Sequence, residues 1–429
     1  MIFYSESEAF MEQQKLKKGY ENWMVFVLCL AFGFVMFDRF ALSNLQTYIM
    51  ADLKISYTQL GLATSVFAFS WAIIGLFGSY IADTRVSRKK LLAIIVFFFS
   101  ICSMLTGLVT GFVMLLLVRL LMGAFEGPVM PVSQSFIIPQ SSPHRRGMNM
   151  GLMQVSAVGL ISTMIGPLVQ VALAESIGWR TTFVLTIIPG IIISIMIWKI
   201  LINPTTSLSA DETGKKEKKL KEKINYVEVF KNRNVILSII GTLFLLCWYI
   251  CTLTYAPGYL TTAKGLTNTE MSYVMSAFGV GAILWGVLIP RLSDRFGRKP
   301  LVMIAALMGI CAPLGIVYGP ASVPFLMFIA FFGWGGTGVN ALMQSTIPAE
   351  SGDPRFVSTI IGSNQLTGEL IGATLGATLL GIVADKSGLG TVMIICAACM
   401  AVCFIVSLFY RESAPLVVAR RNAGITAKK

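Results

Sequence analysis

The sequence predicts an all-α membrane protein in which twelve transmembrane helices form two six-helix bundles. Composition is the first reason: of 429 residues, 55% are hydrophobic and only 13% are charged, far outside the range of soluble domains. The second reason is the number of apolar runs, because one spanning helix needs about 20 apolar residues. We expect spans at 23–48, 58–82, 90–110, 112–139, 148–174, 180–203, 234–261, 270–294, 299–319, 323–349, 356–385 and 390–411.

The basic residues predict how the chain is oriented. With the N-terminus placed in the cytoplasm, 28 of the 34 lysine and arginine residues fall in inward segments and 4 fall in outward loops. Cytoplasmic loops of membrane proteins carry such an excess, so both termini are predicted to be cytoplasmic. The formal charge of +13 therefore orients the chain in the lipid bilayer and does not indicate binding to nucleic acid.

One long polar segment divides the spans into six and six. Residues 204–233 are rich in lysine and glutamate, and the segment is too short and polar to bury a core, which indicates a cytoplasmic linker. The predicted organisation is a cytoplasmic segment 1–22, a bundle 23–203, the linker 204–233, a second bundle 234–411 and a cytoplasmic tail 412–429.

Charged landmarks recur in the second half of the chain. Asp83 and Arg88 after span two are matched by Asp294 and Arg298 after span eight, at an offset of 210 or 211 residues. Such a repeat predicts two halves with the same orientation in the membrane. A binding site is then expected between them, near the midplane.

Four charged residues lie inside predicted spans one and four. Asp38 and Arg39 are adjacent, whereas Arg119 and Glu126 are seven residues apart and lie on nearly the same helix face, about 10 Å apart along the axis. A charge inside the membrane costs at least about 2.5–3.5 kcal/mol and is usually partnered and functional. The four formal charges cancel. Protonation of one or both carboxylates would leave the group positive, so that an anion can enter.

Two loop motifs carry a family resemblance. The segments 78–83 and 291–299 each place an acidic residue at a helix end before basic residues, and they resemble the loop signature of the major facilitator superfamily. This resemblance implies a transporter whose two halves rock about a central site, with charge pairs that form and break as the halves move. The residues expected to act in cytoplasmic gating are Asp83, Arg88, Asp294 and Arg298.

Within that superfamily, the chain resembles the anion:cation symporter family, which includes permeases for sugar acids, hexuronates and phthalate and the sialin-type and vesicular glutamate carriers. The resemblance rests on segments 37–39, 119–128 and 178–180. It implies that Asp38 and Glu126 take protons. It also implies that Arg39 binds a substrate carboxylate, to which a guanidinium offers two parallel hydrogen bonds. For Arg119, direct substrate contact and a packing or gating ion pair both stay open.

Neutral side chains complete the expected binding site. Gln154 in span five resembles a family position that lines the site, and Trp71 in span two stands where Tyr is common. The second half lacks counterparts of the four charges, but it offers groups that can hydrogen-bond hydroxyls or stack on a ring. These are Tyr255, Tyr259, Asn340, Gln344, Asn364 and Gln365, of which Tyr255, Asn340 and Asn364 are expected to bind substrate.

Glu369 departs from the family pattern. It lies in the middle of span eleven, where no charge is expected, between Gly368 and Leu370. It can be an extra proton site, a cation ligand, or a neutral hydrogen-bonding group in a helix contact. The sequence does not rank these three roles.

The predicted function is secondary active transport. The sequence shows no Ser-His-Asp set, phosphate-cradling loop or metal cluster, so no enzyme activity, cofactor or metal is expected. We expect a monomer in the cell membrane, of the bacterial inner-membrane type, that carries a small organic anion together with protons. An organic anion exchanger is the alternative. A proton-driven drug or cation exporter and a non-transport receptor are further alternatives.

Overall fold

The computed structural model describes residues 19–84, 87–142, 145–203, 232–352, 357–415 and 417–418. Side chains are described throughout these ranges except at 76, 78–84, 147, 156 and 357–359. Most of the predicted linker and of both predicted cytoplasmic ends lies outside the described residues, and the predicted domain boundaries stay predictions.

Twelve helices in the described part of the chain are long and apolar enough to cross a membrane, and this part contains no β-strand. The predicted all-α class with twelve spans is therefore confirmed. The helices are α1 Tyr20–Asn44, α2 Tyr57–Thr84, α3 Arg88–Thr106, α4 Phe112–Gln140, α5 Met148–Ile177, α6 Trp179–Ile200, α7 Arg233–Thr262, α8 Asn268–Phe296, α9 Arg298–Tyr318, α10 Val323–Ser351, α11 Ile360–Ser387 and α12 Leu389–Leu408.

The first helix ends earlier than its apolar run predicts. Span one was expected to reach residue 48, but α1 stops at Asn44 and a short helix, Gln46–Leu53, follows. The amides on both sides of the break bind different helices. Asn44 donates to Gln170 Oε1 of α5 at 2.8 Å, and Gln46 donates to the carbonyl oxygen of Thr254 in α7 at 3.1 Å. These two bonds hold the chain in its bend.

The two halves repeat each other in local geometry. The π-helical segment Val158–Ile165 of α5 corresponds to the π-helical segment Gly368–Leu375 of α11. The turns that follow are also alike, since Gly178 has φ 84° and Gly388 has φ 83°, which is a left-handed conformation that favours glycine. Each correspondence has an offset of 210 residues, so the repeat seen in the charged landmarks extends to backbone conformation.

Helices α2 and α11 close the two halves against each other on the outer side, the side predicted to be extracellular. The carboxylate of Asp385 accepts hydrogen bonds from the backbone N–H groups of Tyr57 and Thr58, at 2.9 and 2.8 Å. Deeper in the membrane, the Ser65 hydroxyl lies 2.6 Å from the Thr378 hydroxyl. The outer ends of α2 and α11 are therefore tied by direct bonds.

Glycine allows this close approach. A Cβ atom added at Gly61 of α2 would overlap the carbonyl oxygen of Ala377 in α11, and one added at Gly381 of α11 would overlap the carbonyl oxygen of Tyr57. Helices α5 and α8 form a second contact between the halves, where Gly279 lies against the backbone of Met164 and Ser276 donates to the Met164 carbonyl at 2.6 Å. Small residues at these crossings let the helix backbones meet.

We predict that Gly61→Ala separates the outer ends of α2 and α11. The added methyl group overlaps a backbone atom that cannot rotate away, and overpacking of this kind costs about 1–3 kcal/mol. Double electron–electron resonance between spin labels attached at positions 59 and 386, in a cysteine-free background, should show longer distances in the variant. Gly111→Ala is the matched control, because nothing lies within 4 Å of a Cβ at that position. Identical distance distributions in the two variants would contradict the prediction.

Candidate functional site

The four charged residues of α1 and α4 come together in the interior of the first half. Asp38 and Glu126 are fully buried, Arg119 is 2% exposed, and the side chain of Arg39 is 9% exposed. Their charged groups are close enough to act on one another electrostatically. The structure therefore brings together the four residues that the sequence singled out.

Arg119 links the two helices that carry these charges. Its guanidinium donates to the carbonyl oxygen of Arg39 at 3.4 Å and lies 5.3 Å from the ring centroid of Phe67 in α2. A second terminal nitrogen contacts the sulfur of Met122 at 3.6 Å. Arg119 thus stabilises the backbone of α1 at the point where Arg39 leaves it.

The two carboxyl groups are buried with little hydrogen bonding. Among the described residues, no carboxylate oxygen of Asp38 or Glu126 has a partner in full hydrogen-bond geometry, although the Ser103 hydroxyl is close enough to Asp38 to interact with it. An isolated ionised carboxylate in such a place is costly unless nearby cations compensate or a proton binds. Of the nearby cations, Arg119 has the largest electrostatic effect on both carboxyl groups.

Arg39 lies between two aromatic rings and a carboxylate. Its guanidinium carbon is 5.3 Å from the centroid of Phe67 and 5.0 Å from that of Trp71. These two residues are four positions apart, on one face of α2. On its other side, Nη2 of Arg39 donates to Oε2 of Glu369 in α11 at 3.3 Å. Sequence reasoning found no partner for Glu369, and the structure supplies one from the opposite half.

Gln170 fixes the position of α1 beside the site. Its amide nitrogen donates to the carbonyl oxygen of Phe37 at 2.9 Å, and its oxygen accepts from Asn44 at 2.8 Å. The π-helical segment of α5 lies one turn earlier, and close contact of Gly33 with Ile161 brings the two helices together. Irregular turns of this kind are frequent at functional sites.

A cavity of about 340 Å³ lies between the halves next to this cluster. Each lining residue lies in the half of its helix that is nearer to the side predicted to be cytoplasmic. The cavity thus faces that side, while the outer side is closed. The lining residues are Trp71, Ala72, Gly75, Gly127, Met130, Pro131, Gln134, Gln154, Gln344, Ser345, Ile361, Gly362, Gln365, Leu366 and Glu369.

Five of the residues named in the sequence analysis line this cavity: Trp71, Gln154, Gln344, Gln365 and Glu369. The four charged residues Asp38, Arg39, Arg119 and Glu126 do not line it.

Two polar residues of the lining were missed by sequence reasoning, Gln134 and Ser345. Gln134 had a usable signal, because Gly127, Met130 and Gln134 follow the spacing of one helix face. The first of these residues, Gly127, directly follows the buried Glu126, so the cavity lining of α4 lies next to that charge.

Three residues expected to bind substrate have other contacts. Tyr255 is fully buried, and its hydroxyl donates to the carbonyl oxygen of Ala377 at 2.5 Å. Asn364 is fully buried and donates to the carbonyl oxygens of Met343 and Gln344, at 3.0 and 3.1 Å, where α10 is π-helical. Asn340 lies in α10 outside the cavity lining, and within the described residues its side-chain oxygen has no hydrogen-bond partner.

The residues expected to act in gating lie at the side predicted to be cytoplasmic. Arg298 bonds Asp294 at 2.6 Å and Glu350 at 2.6 Å, all within the second half. Arg88 begins α3, at the position that corresponds to Arg298. The side chain of Asp83 lies outside the described residues.

The cysteines form no visible metal centre. All eight are free thiols, and Cys403 donates to the carbonyl oxygen of Gly241 at 3.4 Å, which joins α12 to α7. Within the described ranges, no group of three or more His, Cys, Asp and Glu residues is arranged to hold a metal ion. The cysteines pack as small apolar groups.

Comparison with known proteins identifies a family that fits these features, namely twelve apolar helices, a repeat of two halves and a cavity between them. The model described as Major Facilitator Superfamily matches residues 28–377, well over half of the chain. The chain belongs to the major facilitator superfamily. This facilitator-family protein is therefore a multi-pass transporter of the cell membrane and not an enzyme.

Its relatives include sugar-acid permeases. The hexuronate transporter of Bacillus subtilis (strain 168) is 26% identical over 377 residues, which cover 82% of this chain and 85% of the relative. A probable galactarate/D-glucarate transporter of the same organism is 25% identical over 377 residues, covering 78% and 80%. The resemblance to the anion:cation symporter family is confirmed by these relatives.

Solved structures show the same fold. The crystal structure of a bacterial homologue of the human lysosomal transporter Spinster, in an inward-facing and occupied conformation, matches with a TM-score of 0.71. The match covers 92% of this chain and 97% of that chain at 19% identity. The likeness extends over nearly the whole facilitator fold.

We predict that Arg119→Met lowers the thermal stability of this transporter and that Arg119→Met/Glu126→Gln recovers part of the loss. Arg119 and Glu126 form no ion pair in contact, but they are buried opposite charges that act on each other electrostatically. Removing one buried charge leaves the other uncompensated, at a cost of about 3–5 kcal/mol when a buried pair is broken. The amide in the double variant removes one of those charges. Melting temperatures of the detergent-solubilised variants measure both effects, with the loss of the size-exclusion peak after heating as the readout. A double variant no more stable than Arg119→Met would contradict this account.

Proposed function

We propose that the protein is a proton-coupled symporter of a small organic anion, a monomeric carrier that takes up a sugar acid by alternating access. One observation carries the proposal. Two fully buried carboxyl groups, Asp38 and Glu126, have no partner in full hydrogen-bond geometry among the described residues. They lie beside Arg119, which is buried, and Arg39, which is largely buried, next to a cavity that is closed on its outer side. Buried acidic residues without a structural partner suit reversible protonation.

Charge balance explains how protons and an anion can be coupled. With every carboxylate ionised, Asp38, Glu126 and Glu369 exceed Arg39 and Arg119 by one negative charge, and an incoming anion is repelled. When protons bind to Asp38 and Glu126, the two arginines exceed Glu369 by one positive charge, and an anion is attracted. Uptake of the anion then depends on uptake of protons, as symport requires.

Arg39 is the proposed ligand of the substrate carboxylate. Its guanidinium lies against the rings of Phe67 and Trp71, and its terminal nitrogens, one of which now contacts Glu369, are available for planar recognition of a carboxylate. Amides around the cavity can bind the hydroxyl groups of a sugar acid, since each amide offers both donors and an acceptor. The sugar-acid substrates in the names of its relatives support this substrate class. The amides belong to Gln134, Gln154, Gln344 and Gln365.

The shape of the molecule supports alternating access. The outer side is closed by the contacts of α2 with α11 and of α5 with α8, whereas the cavity faces the side predicted to be cytoplasmic. We include the cluster of Arg298, Asp294 and Glu350 in the proposal as the gating element of the second half. Its ion pairs lie where the two halves must approach when the cavity closes.

Transport into proteoliposomes tests the coupling. We predict that the wild-type protein accumulates one of D-glucuronate, D-galactonate or D-glucarate when the external medium is acidic relative to the lumen. Arg39→Ala should abolish uptake, because the carboxylate loses its ligand. Glu126→Gln and Asp38→Asn should lose gradient-driven accumulation but retain exchange of labelled for unlabelled acid. Uptake of the radiolabelled acids, with and without the gradient, measures each outcome.

Each failure of this experiment has a distinct meaning. Accumulation that does not depend on the proton gradient, but requires unlabelled organic acid inside the proteoliposomes, would indicate anion exchange instead of symport. Normal transport by Arg39→Ala would remove the anion assignment. Gln59→Leu is the control, because Gln59 lies near the outer end of α2 and does not line the cavity.

We predict that Gln154→Leu raises the KM for the transported sugar acid about three- to tenfold, as expected for one neutral hydrogen bond of ~0.5–1.5 kcal/mol. Gln154 lines the cavity and has no role in the proposed proton coupling. The dependence of uptake on the proton gradient should therefore be unchanged. Concentration series of uptake in proteoliposomes measure the KM, with Gln59→Leu expected to match the wild type. An unchanged KM in Gln154→Leu would remove this residue from the binding site.

A further inference from the structure

The ion pair between Arg39 and Glu369 is unlike the other ion pairs of the described residues. It joins α1 of the first half to α11 of the second half, at 3.3 Å. The remaining pairs each lie within one half. Arg39 and Glu369 are thus the one ion-paired connection between the halves in this part of the chain. The pairs within one half are Arg145 with Glu21, Arg180 with Asp52, and Arg298 with Asp294 and Glu350.

Close packing of its helix holds Glu369 in place. The residue lies in the first turn of the π-helical segment Gly368–Leu375, and its carbonyl oxygen accepts from the Thr374 hydroxyl at 2.9 Å. A Cβ atom at Gly368 would lie 2.7 Å from Leu246, and one at Gly372 would overlap the carbonyl oxygen of Leu243. Helix α11 therefore packs directly on α7, and the backbone of Glu369 is fixed at the cavity wall.

Glu369 separates Arg39 from the cavity. Glu369 lines the cavity with 14% of its side chain exposed, whereas Arg39 is 9% exposed and does not line it. The rings of Phe67 and Trp71 lie near the guanidinium. An anion that enters from the cavity meets the carboxylate of Glu369 before it can bind the guanidinium.

We propose that Glu369 is a resident substitute for the substrate carboxylate: it binds Arg39 in the empty carrier, the substrate displaces it, and it returns to Arg39 as the substrate leaves. This inference rests on the proposed function, in which Arg39 binds the anion. The same guanidinium serves two carboxylates in turn. Substrate binding therefore breaks the ion pair between the halves, and substrate release restores it.

The displaced carboxylate also selects the class of acid. When Arg39 binds the substrate, the displaced carboxylate of Glu369 stays at the cavity wall, beside the bound acid. A second carboxylate on the substrate is repelled by Glu369, because like charges within one cavity of low dielectric constant interact strongly. The cavity accordingly favours monocarboxylates such as D-glucuronate and D-galactonate over dicarboxylates such as D-glucarate.

Substrate affinity tests the displacement. In Glu369→Gln the competing carboxylate is gone, so the KM for D-glucuronate, or for D-galactonate if that is the acid transported, should fall about fivefold or more, the lower end of typical coupling between two ligands. Net uptake should fall relative to exchange, since release from Arg39 is no longer assisted. Glu270→Gln, which removes a carboxylate at the outer end of α8, should leave the KM unchanged.

A second variant keeps the test decisive if the glutamine variant does not fold. Glu369→Asp retains the charge but shortens the side chain by one methylene, which weakens the contact with Arg39, so its KM should lie between those of the wild type and Glu369→Gln. A KM that is unchanged or higher in both variants would overturn the inference while the proposed function stands. A wild-type protein that transports none of the acids would overturn both.

Selectivity gives a measure that does not depend on the amount of folded protein. The ratio of kcat/KM for the monocarboxylate to that for D-glucarate is taken within each variant. We expect it to exceed one in the wild type and to fall at least about fivefold in Glu369→Gln, as the repulsive charge is removed. An equal ratio in the two proteins, or a wild-type preference for D-glucarate, would contradict the selective role of Glu369.

Discussion

The burial of opposite charges inside the membrane is the constraint on which the rest of this structure depends. Asp38, Arg39, Arg119 and Glu126 are all largely removed from solvent, and each would be costly alone. Together they balance, provided that α1 and α4 stay in register. The hydrogen bond from Arg119 to the Arg39 carbonyl and the bonds of Gln170 to α1 maintain that register. The precise packing of the first half is therefore a requirement of its charges.

The second half has the same helical architecture as the first but carries different side chains at the corresponding positions. At the positions 210 residues after Asp38 and Arg39 it carries Trp248 and Tyr249, whose rings pack with Trp334 at centroid distances of 4.8 and 5.4 Å. At these positions the second half buries an aromatic cluster where the first half buries charge. Glu369 is the exception, and it is directed at Arg39. The repeat is thus preserved in backbone geometry, while the chemistry is divided between the halves.

The sequence predicts the fold well because apolar run length and repeated charged landmarks are local properties. The clustering of four charged residues was also predictable, because ionised groups in apolar runs are costly unless they have partners. The partner of Glu369 was not predictable, because Arg39 lies 330 positions away and the pair depends on how the two halves are placed against each other. Tyr255 and Asn364 show the converse: the same hydroxyl and amide groups that can bind a substrate are used to satisfy backbone carbonyls between helices.

The cavity lining suggests how closure on the inner side is controlled. Gln134 and Gln154 come from the first half, and Gln344 and Gln365 from the second. If the halves close around these amides, each unpaired group costs about 1–3 kcal/mol, so closure requires partners. In the proposed mechanism, amides from opposite halves pair with each other in the empty carrier, and hydroxyl groups of a bound sugar acid replace those partners in the loaded one. In the same mechanism, a proton-free carrier with an anion in place is disfavoured at Arg39, because the charges of the two buried carboxylates in the first half then oppose the anion.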